Sequence, residues 1–483
     1  MSHQEASNAY VVRTLMGLEP LVCEELKQQG AEEVEPGRRS ARFTATDEVL
    51  YRYLQCTRFA VRVLRPIFSF QAKGPDDLHA KAVKLPWGKW VDPRRSMALD
   101  VTVNSEHFPH DQFAMFRLKD ALSDHFQASA QARSVHHLNI NRTAPEQLIH
   151  LHIAGDEVTV SLDLVGKEAL FKRGYRAPKA RAPLNEVLTA GLLGLAGWKP
   201  GEVLVDPMCG SGTFAIEAGL WTAGVPIHAG RRNWTLFGMP DFQADLWREV
   251  GEAAREERIS RAPILASDWN KHPVGDARES VRRSGLEHLV RVEVADFLDL
   301  LPPRDVEPGL VVLNPPYGQR VQAADLENLY GGIGGALKHR WSGWRAALLF
   351  PKDLEAHHRI GLKPTVKHTV MNGPLTCTWA VYDLFKGKRA DHLAGDVAGR
   401  QGGDNAFDVL RGFGGRVHRV SPGGGQLVHA GRIHVEPLDH ELCVAQMFDE
   451  GLAHQAHAHD SDPFRHNVLP PEVVLLLGDD LTG

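Results

Sequence analysis

From Asn185 to Phe350 the chain alternates helix-patterned stretches with short apolar runs, and this rhythm limits the folds open to it. In order these are "NEVLTAGLLGLAGW", "EVLVD", "GTFAIEAGLWTAG", "PILASD", "DARESVRRSG", "VRVEVAD", "GLVVLNPPYG", "LYGGIGGALKHRW" and "RAALLF". Short strands joined by helices pair in parallel, because each crossover returns the chain to the same end of the sheet. The expected class is α/β, with a mostly parallel doubly wound sheet and a ligand at the C-terminal ends of its strands.

The residues before it have a different pattern. "AYVVRTLMGLEPLVCEELKQQGAEEVEPGRRSARFTAT" reads as a strand, a helix that begins near Leu18 and stops at Gly30, and two further strands. A second α+β pattern follows, with a helix at "DEVLYRYLQC", strands at "RFAVRVLRPIFSF" and "SMALDVTVNS", a helix over about 112–130, and strands at "LIHLHIA" and "EVTVSLDLV". With 43% hydrophobic and 24% charged residues in 483, each region has enough apolar material for its own core. The boundaries read from these changes are 1–50, 51–165, a basic linker at 166–186, the α/β domain at 187–386, and an irregular Gly- and His-rich extension at 387–483.

Charge is unevenly distributed although the net value is only -5. Residues 51–182 carry 20 Lys and Arg against 13 Asp and Glu, a balance of +7, whereas 386–483 carry 9 against 14. The linker concentrates Lys172, Arg173, Arg176, Lys179 and Arg181, and it reads as a clamp on phosphate, a plain connector, or both. Cys23, Cys56, Cys209, Cys377 and Cys443 form no CxxC pair, so neither a disulfide framework nor a zinc site is expected. His454, His457 and His459 lack a metal-ligand spacing and read as a solvated tail, so no metal is expected. No apolar run approaches the roughly 18 residues that cross a bilayer, and the polar start lacks a signal-peptide layout; the expectation is cytoplasmic, without a membrane partner.

The chemistry is concentrated at the ends of the α/β strands. "VLVD" followed by "PMCGSGTFAIEAG" places Asp206 at a strand end, Met208, Gly210 and Gly212 in a turn, and Thr213 at a helix entrance, so a ligand can approach the backbone closely. GxGxxG and the Walker lysine are both missing, which disfavours dinucleotides and nucleoside triphosphates. Asp268, followed by Trp269, stands where a carboxylate would accept from a ribose diol. Asp296 would accept from an adenine amine, with Phe297 as an apolar wall. Together these acids suggest a nucleoside pocket.

"VVLNPPYG" closes the next strand with Asn314, Pro315, Pro316 and Tyr317, residues suited to a rigid loop rather than to a strand. An aromatic exocyclic amine attacks a methyl group poorly because its lone pair is delocalised into the ring. Acceptance of its two N–H groups by the Asn314 side chain and the Pro315 carbonyl would aim the lone pair and stabilise the charge that develops on nitrogen. Tyr317 would stack on the base.

These residues resemble the THUMP-domain class I S-adenosylmethionine-dependent RNA methyltransferases, and among them the RlmL-like 23S rRNA guanine-N2 enzymes. "FKRGYR", "APLNE", "DPMCGSGTFAIEAG", "RRNWTLFGMPDFQADLW", "SDWN", "NPPYGQR" and "LYGGIGGALK" occur in that family's order, over about residues 8–385. The resemblance implies a ferredoxin-like segment at 1–50, a THUMP RNA-binding domain at 51–165 and a Rossmann-like methyltransferase domain at 187–386. It implies S-adenosyl-L-methionine as cofactor, held by Asp206, Met208, Gly210, Gly212, Thr213, Asp268, Trp269, Asp296, Phe297 and Asn314, with Asn314–Tyr317 holding the target base. The partner implied is structured RNA, rRNA above tRNA, and the chain is expected to act as a monomer. It further implies that the insertion between Gly224 and Ile264 sits near the active-site mouth. Longer members carry a second methyltransferase domain, which residues 387–483 are not expected to form. Left open are a tRNA guanine-N2 enzyme, an N6-adenine enzyme acting on RNA or DNA, and a non-catalytic RNA-binding assembly factor.

Overall fold

The computed structural model describes residues 8–128, 137–178, 183–254, 262–317, 323–354 and 356–385. Lys179, Arg181, the tail histidines, Cys443 and the whole 387–483 extension lie outside the described residues.

The N-terminal region is one continuous sheet. Its strands are β1 (Asn8–Arg13), β2 (Glu32–Gly37), β3 (Ser40–Ala45), β4 (Arg62–Gln71), β5 (Met97–Asn104), β6 (Gln147–Ala154) and β7 (Glu157–Asp163), in the spatial order β2-β3-β1-β4-β7-β6-β5. Helices α1 (Glu19–Gln29), α2 (Asp47–Cys56), α3 (Pro75–Ala82) and α4 (Asp111–Ala128) accompany it. The end of α1 follows directly from sequence. Gly30 takes a left-handed φ of 95°, and the amides of Gly30 and Ala31 satisfy the Lys27 and Leu26 carbonyls. Where two separate α+β units are expected from the sequence, β4 joins them: its start pairs with β1 through Arg62–Leu64 and its length pairs with β7 through Leu64–Gln71.

The second sheet contains β8 (Leu204–Asp206), β9 (Ile264–Asp268), β10 (Val290–Val294), β11 (Leu310–Leu313), β12 (Arg345–Pro351), β13 (Val366–Asn372) and β14 (Leu375–Asp383). The order is β10-β9-β8-β11-β12-β14-β13. The strands from β10 to β12 run parallel, as the alternation predicts. β14 is antiparallel to both β12 and β13. Its helices are α5 (Glu186–Leu195), α6 (Thr213–Thr222), α7 (Ala244–Ala253), α8 (Lys271–Arg283), α9 (Ala323–Arg340) and α10 (Ala356–Ile360). The fold is thus an α+β region followed by a doubly wound α/β domain with a mixed, mostly parallel sheet. β8 lies between β9 and β11, so the chain turns opposite ways from it, and such a reversal opens a crevice at the strand ends.

Two features fix the α/β domain to the N-terminal region. The insertion between Gly224 and Ile264 docks on α2: Trp247 meets Tyr51 edge-on at 5.4 Å, the Gln243 amide donates to Tyr51 Oη at 3.0 Å, and Gln55 Nε2 donates to the Trp247 carbonyl at 2.9 Å. Arg65 reaches Asp241 at 2.5 Å. The aromatic face of the insertion is committed to the N-terminal region, where the apolar area of Tyr51, Phe242 and Trp247 is covered. The second feature is the basic linker, whose Leu170 amide donates to the Val61 carbonyl and whose Gly166 carbonyl accepts from Arg62.

Candidate active site

Strand register assembles the site. Asp206 is the last residue of β8 and pairs with Ala266 of β9, so Asp268 stands two residues further along the neighbouring strand. Asp268 in turn pairs with Val294 of β10, and Asp296 follows two residues later. On the other side, Val205 pairs with Val311 of β11, which puts Asn314 just past the level of Asp206. The three acids and the Asn-Pro-Pro-Tyr segment therefore share one end of the parallel sheet.

The turn after β8 is shaped to leave space. Gly210 and Gly212 have φ of 52° and 83°, in the left-handed region that side chains with a Cβ rarely adopt. A Cβ at Gly210 would meet nothing within 4 Å, whereas one at Gly212 would press to 3.2 Å from Ala277 on α8. Gly210 thus opens a cradle and Gly212 permits close helix packing. Gly212 also caps α6 without any side-chain hydrogen bond, so the first amides of that helix have no side chain to satisfy them. Asp268 braces the turn: its carboxylate accepts the Gly210 amide at 3.1 Å and the Asn270 amide at 2.9 Å, and its oxygens keep lone pairs for a ligand. No local signal in the sequence marks this bracing role, since it pairs positions 210 and 268 across two strands.

Asp206 is 1% exposed, and neither carboxylate oxygen has a donor of good geometry, although the Met208 amide lies nearby. Burial, and then the charge of Asp268, push its carboxyl well above the usual range. Such an acid is waiting for a donor. Burial, Asp206 and Asp268 likewise push the Cys209 thiol up, so it is no nucleophile. Thr213 is buried at the α6 entrance, Met208 is half-buried against the core, and Trp269 is 72% exposed beside Asp268. Asp296 is exposed and accepts the Leu298 amide at 2.9 Å. Phe297 departs from expectation: it is 1% exposed and stacks on Trp341 at 6.1 Å, so it is a core residue rather than a wall open to ligand.

At the end of β11, Asn314 Oδ1 is buried and has no hydrogen-bond partner. Pro315 is buried, Pro316 is exposed and Tyr317 is half-buried. The Tyr317 hydroxyl accepts from Asn372 Nδ2 at 2.7 Å, so the β13–β14 hairpin reaches back to hold the loop. Asn372 is absent from the sequence reading, although "MNGP" between two alternating apolar runs carries a hairpin signal.

Comparison with known proteins gives this geometry a lineage. Residues 173–381 match the family described as RMKL-like, methyltransferase domain; residues 72–163 match the THUMP domain and residues 9–64 the RlmL ferredoxin-like domain. A putative RNA methyltransferase of Synechocystis is 32% identical over 379 residues, 78% of this chain and 97% of that protein. The chain belongs to the RlmL-like THUMP methyltransferase family. The ribosomal RNA large subunit methyltransferase K/L of Syntrophotalea carbinolica is 37% identical over 379 residues, 76% of this chain and 52% of the relative. This RlmL-like chain therefore spans about half the length of the K/L relatives it matches. Among solved structures, a possible methylase from Clostridium difficile 630 superposes with a TM-score of 0.71 at 25% identity, covering 80% of this chain and all of that one.

In this RlmL-like protein the ferredoxin-like match runs to residue 64, which includes α2 and the start of β4 and so extends past the expected boundary at 50. The linker cations divide. Lys172 is exposed, but Arg173 is 1% exposed in its side chain and pairs with the fully buried Glu217 of α6 at 3.1 Å. Arg176 pairs with Glu186 of α5 at 2.5 Å and donates to the Leu184 carbonyl. The expectation that Arg173 grips RNA is corrected, because its guanidinium faces the interior. Among the described residues, no cluster of three or more His, Cys, Asp or Glu is placed to hold a metal, and no helix is long and apolar enough to cross a membrane.

Proposed function

We propose that the protein uses S-adenosyl-L-methionine to methylate the exocyclic N2 amine of a guanosine in structured RNA, with 23S rRNA as the substrate. The observation that carries the reading is the buried, unpartnered Asn314 Oδ1 at the head of Asn-Pro-Pro-Tyr. A buried acceptor left unsatisfied costs about 1–3 kcal/mol, and this one stands at the same end of the sheet as Asp206 and the Gly210 cradle, beside the space a ligand would fill. The rRNA assignment draws on the K/L relatives, which are named for methylation of the large ribosomal subunit RNA.

The residues present fit the cofactor. Asp206 supplies two unsatisfied oxygens, Gly210 an open cradle, Asp268 lone pairs beside the turn, and α6 a set of uncapped amides that favour a carboxylate. Asp296 and Trp269 stand at the same rim, where they would accept from and cover a base. When bound, the cofactor supplies a methyl group on a positively charged sulfur. The chain supplies orientation: Asn314 Oδ1 and the Pro315 carbonyl accept the two amine N–H groups, and the nitrogen lone pair is aimed along the third direction. Tyr317, steadied by Asn372, offers its ring to the face of the base. The amine proton leaves after transfer, so no general base of shifted pKa is needed.

Incubation with methyl-labelled cofactor and either 23S rRNA, tRNA or DNA, followed by nucleoside analysis, tests the reading. Label in N2-methylguanosine of rRNA is expected. Label in N6-methyladenosine would overturn the guanine assignment, label in tRNA alone would replace rRNA, and no label in any nucleic acid would favour an assembly factor.

A further inference from the structure

A cavity of about 520 Å³ lies away from the β8–β11 strand ends, and three separate segments form it. Arg95 and Glu146 come from the THUMP domain, Lys167 from the segment after β7, and Arg232, Trp234 and Phe237 from the insertion. Tight backbone approaches hold these walls together. A Cβ at Gly166, whose φ is 98°, would lie 2.7 Å from the Asn233 carbonyl, and one at Gly238 would lie 3.0 Å from the Glu146 carbonyl. The cavity is therefore a fixed product of the packed segments.

Its polar groups are unevenly satisfied. Glu146 is occupied by the Ser96 amide and hydroxyl at 2.9 and 3.0 Å, and Glu168 accepts from Asn233 at 3.2 Å. Arg95 stands 3.9 Å from Glu146, too far for a hydrogen bond. Lys167 and Arg232 are exposed, and no side-chain partner is seen for either among the described residues. The Trp234 indole N–H is buried without an acceptor. Cations with spare donors beside the half-buried Phe237 ring are complementary to a phosphate joined to a sugar and base. The +7 balance of residues 51–182 draws the same kind of ligand.

We propose that this junction cavity binds a phosphodiester segment of the RNA, away from the nucleotide that is methylated. Lys167 and Arg232 neutralise the backbone there, and the half-buried Phe237 ring meets a sugar or base. The proposal rests on the RNA reading above. Because the THUMP domain and the insertion both line the cavity, a strand held in it fixes the register of the RNA against the catalytic domain, and remote binding energy is used for orientation.

The test measures binding of a fluorescent 23S rRNA transcript across a salt series for the wild type, K167E/R232E, and a charge-matched control, K27E/K199E. Two lost contacts should weaken binding about 10-fold or more at 150 mM salt and lower the salt slope by about 1.4 for a single-stranded contact. The control should match the wild type, and thermal unfolding and cofactor affinity should be unchanged in both variants. K167R/R232K should retain binding. Unchanged affinity and slope in K167E/R232E, or an equal loss in the control, would overturn the proposal. Adenosine monophosphate binding the wild type below millimolar concentration, and lost in K167E/R232E, would assign the cavity to a free nucleotide instead. A wild type that binds RNA but is indifferent to K167E/R232E defeats this inference alone, whereas one that neither binds nor methylates RNA defeats the functional reading.

Discussion

Glu217→Gln should destabilise the protein strongly while leaving the RNA contacts of the folded molecule untouched. Glu217 lies on α6, fully buried, and takes Arg173 Nε on both oxygens at 3.1 and 3.2 Å and the Tyr175 hydroxyl at 2.9 Å. Arg173 also donates to the Arg58 carbonyl at 2.9 Å and the Leu170 carbonyl at 3.2 Å. The Arg58 guanidinium is itself buried and held down to about 10, chiefly by burial, with the charge of Glu217 opposing that fall. Glu217 is thus the counter-charge for two interior guanidinium groups. Gln keeps the shape but removes the charge, and loss of one partner of a buried pair costs about 3–5 kcal/mol. At about 2–4 °C per kcal/mol for a domain of this size, the midpoint should fall by roughly 6–20 °C in a thermal melt followed by circular dichroism. At a temperature where the variant remains folded, the salt slope of RNA binding should equal that of the wild type. A midpoint within about 1 °C of wild type would refute the counter-charge argument, since surface substitutions reach only that scale. A loss of salt slope without a loss of stability would return Arg173 to the RNA interface.

Asn314→Ala should lower kcat by about 10²–10³ with cofactor affinity unchanged by calorimetry, because the lost acceptor acts on the developing charge; lost cofactor affinity with intact turnover would reverse the assignment. Asn372→Ala and Tyr317→Phe should each lower kcat/KM by about 5-fold, the worth of one hydrogen bond, and the double variant should lose little more. Additive losses in that cycle would mean that Asn372 does not act through Tyr317. The pH dependence follows from two interior histidines. His228 is held well below its ordinary value by burial, then by Arg173, and His150 is pushed down to about 3 by burial, then by Arg13. Both stay neutral in the fold but take up a proton when unfolded, so stability is present above about pH 6.5 and is lost as pH falls below it. Urea midpoints should reveal about 1.4 kcal/mol lost per histidine at pH 5.5, and a flat profile between pH 7.5 and 5.5 would contradict the burial argument.

What was legible in the sequence was what is local. The Gly30 stop, the two-glycine turn after Asp206 and the proline-rich end of β11 each follow from a few adjacent residues with restricted backbones, and the strand-to-helix rhythm gives the parallel order of their neighbours. What was not legible depends on pairings across the chain. Phe297 reads as a pocket wall from its place after Asp296, but its ring turns inward to Trp341, 44 positions away in the sequence. The run Lys172 to Arg181 reads as a phosphate clamp because a sequence displays its cations without their partners. One local clue was available: Glu217 is the lone charge in "TFAIEAGLWT", a helix that is apolar on nearly every side, and a charge in such a place requires a buried partner. The run from Lys172 to Arg181 offered five cations for that role. Only the packing of α6 beneath the linker selects Arg173, whose Nε–H is shared between both carboxylate oxygens while its other nitrogens reach backbone carbonyls, and leaves Lys172 facing solvent.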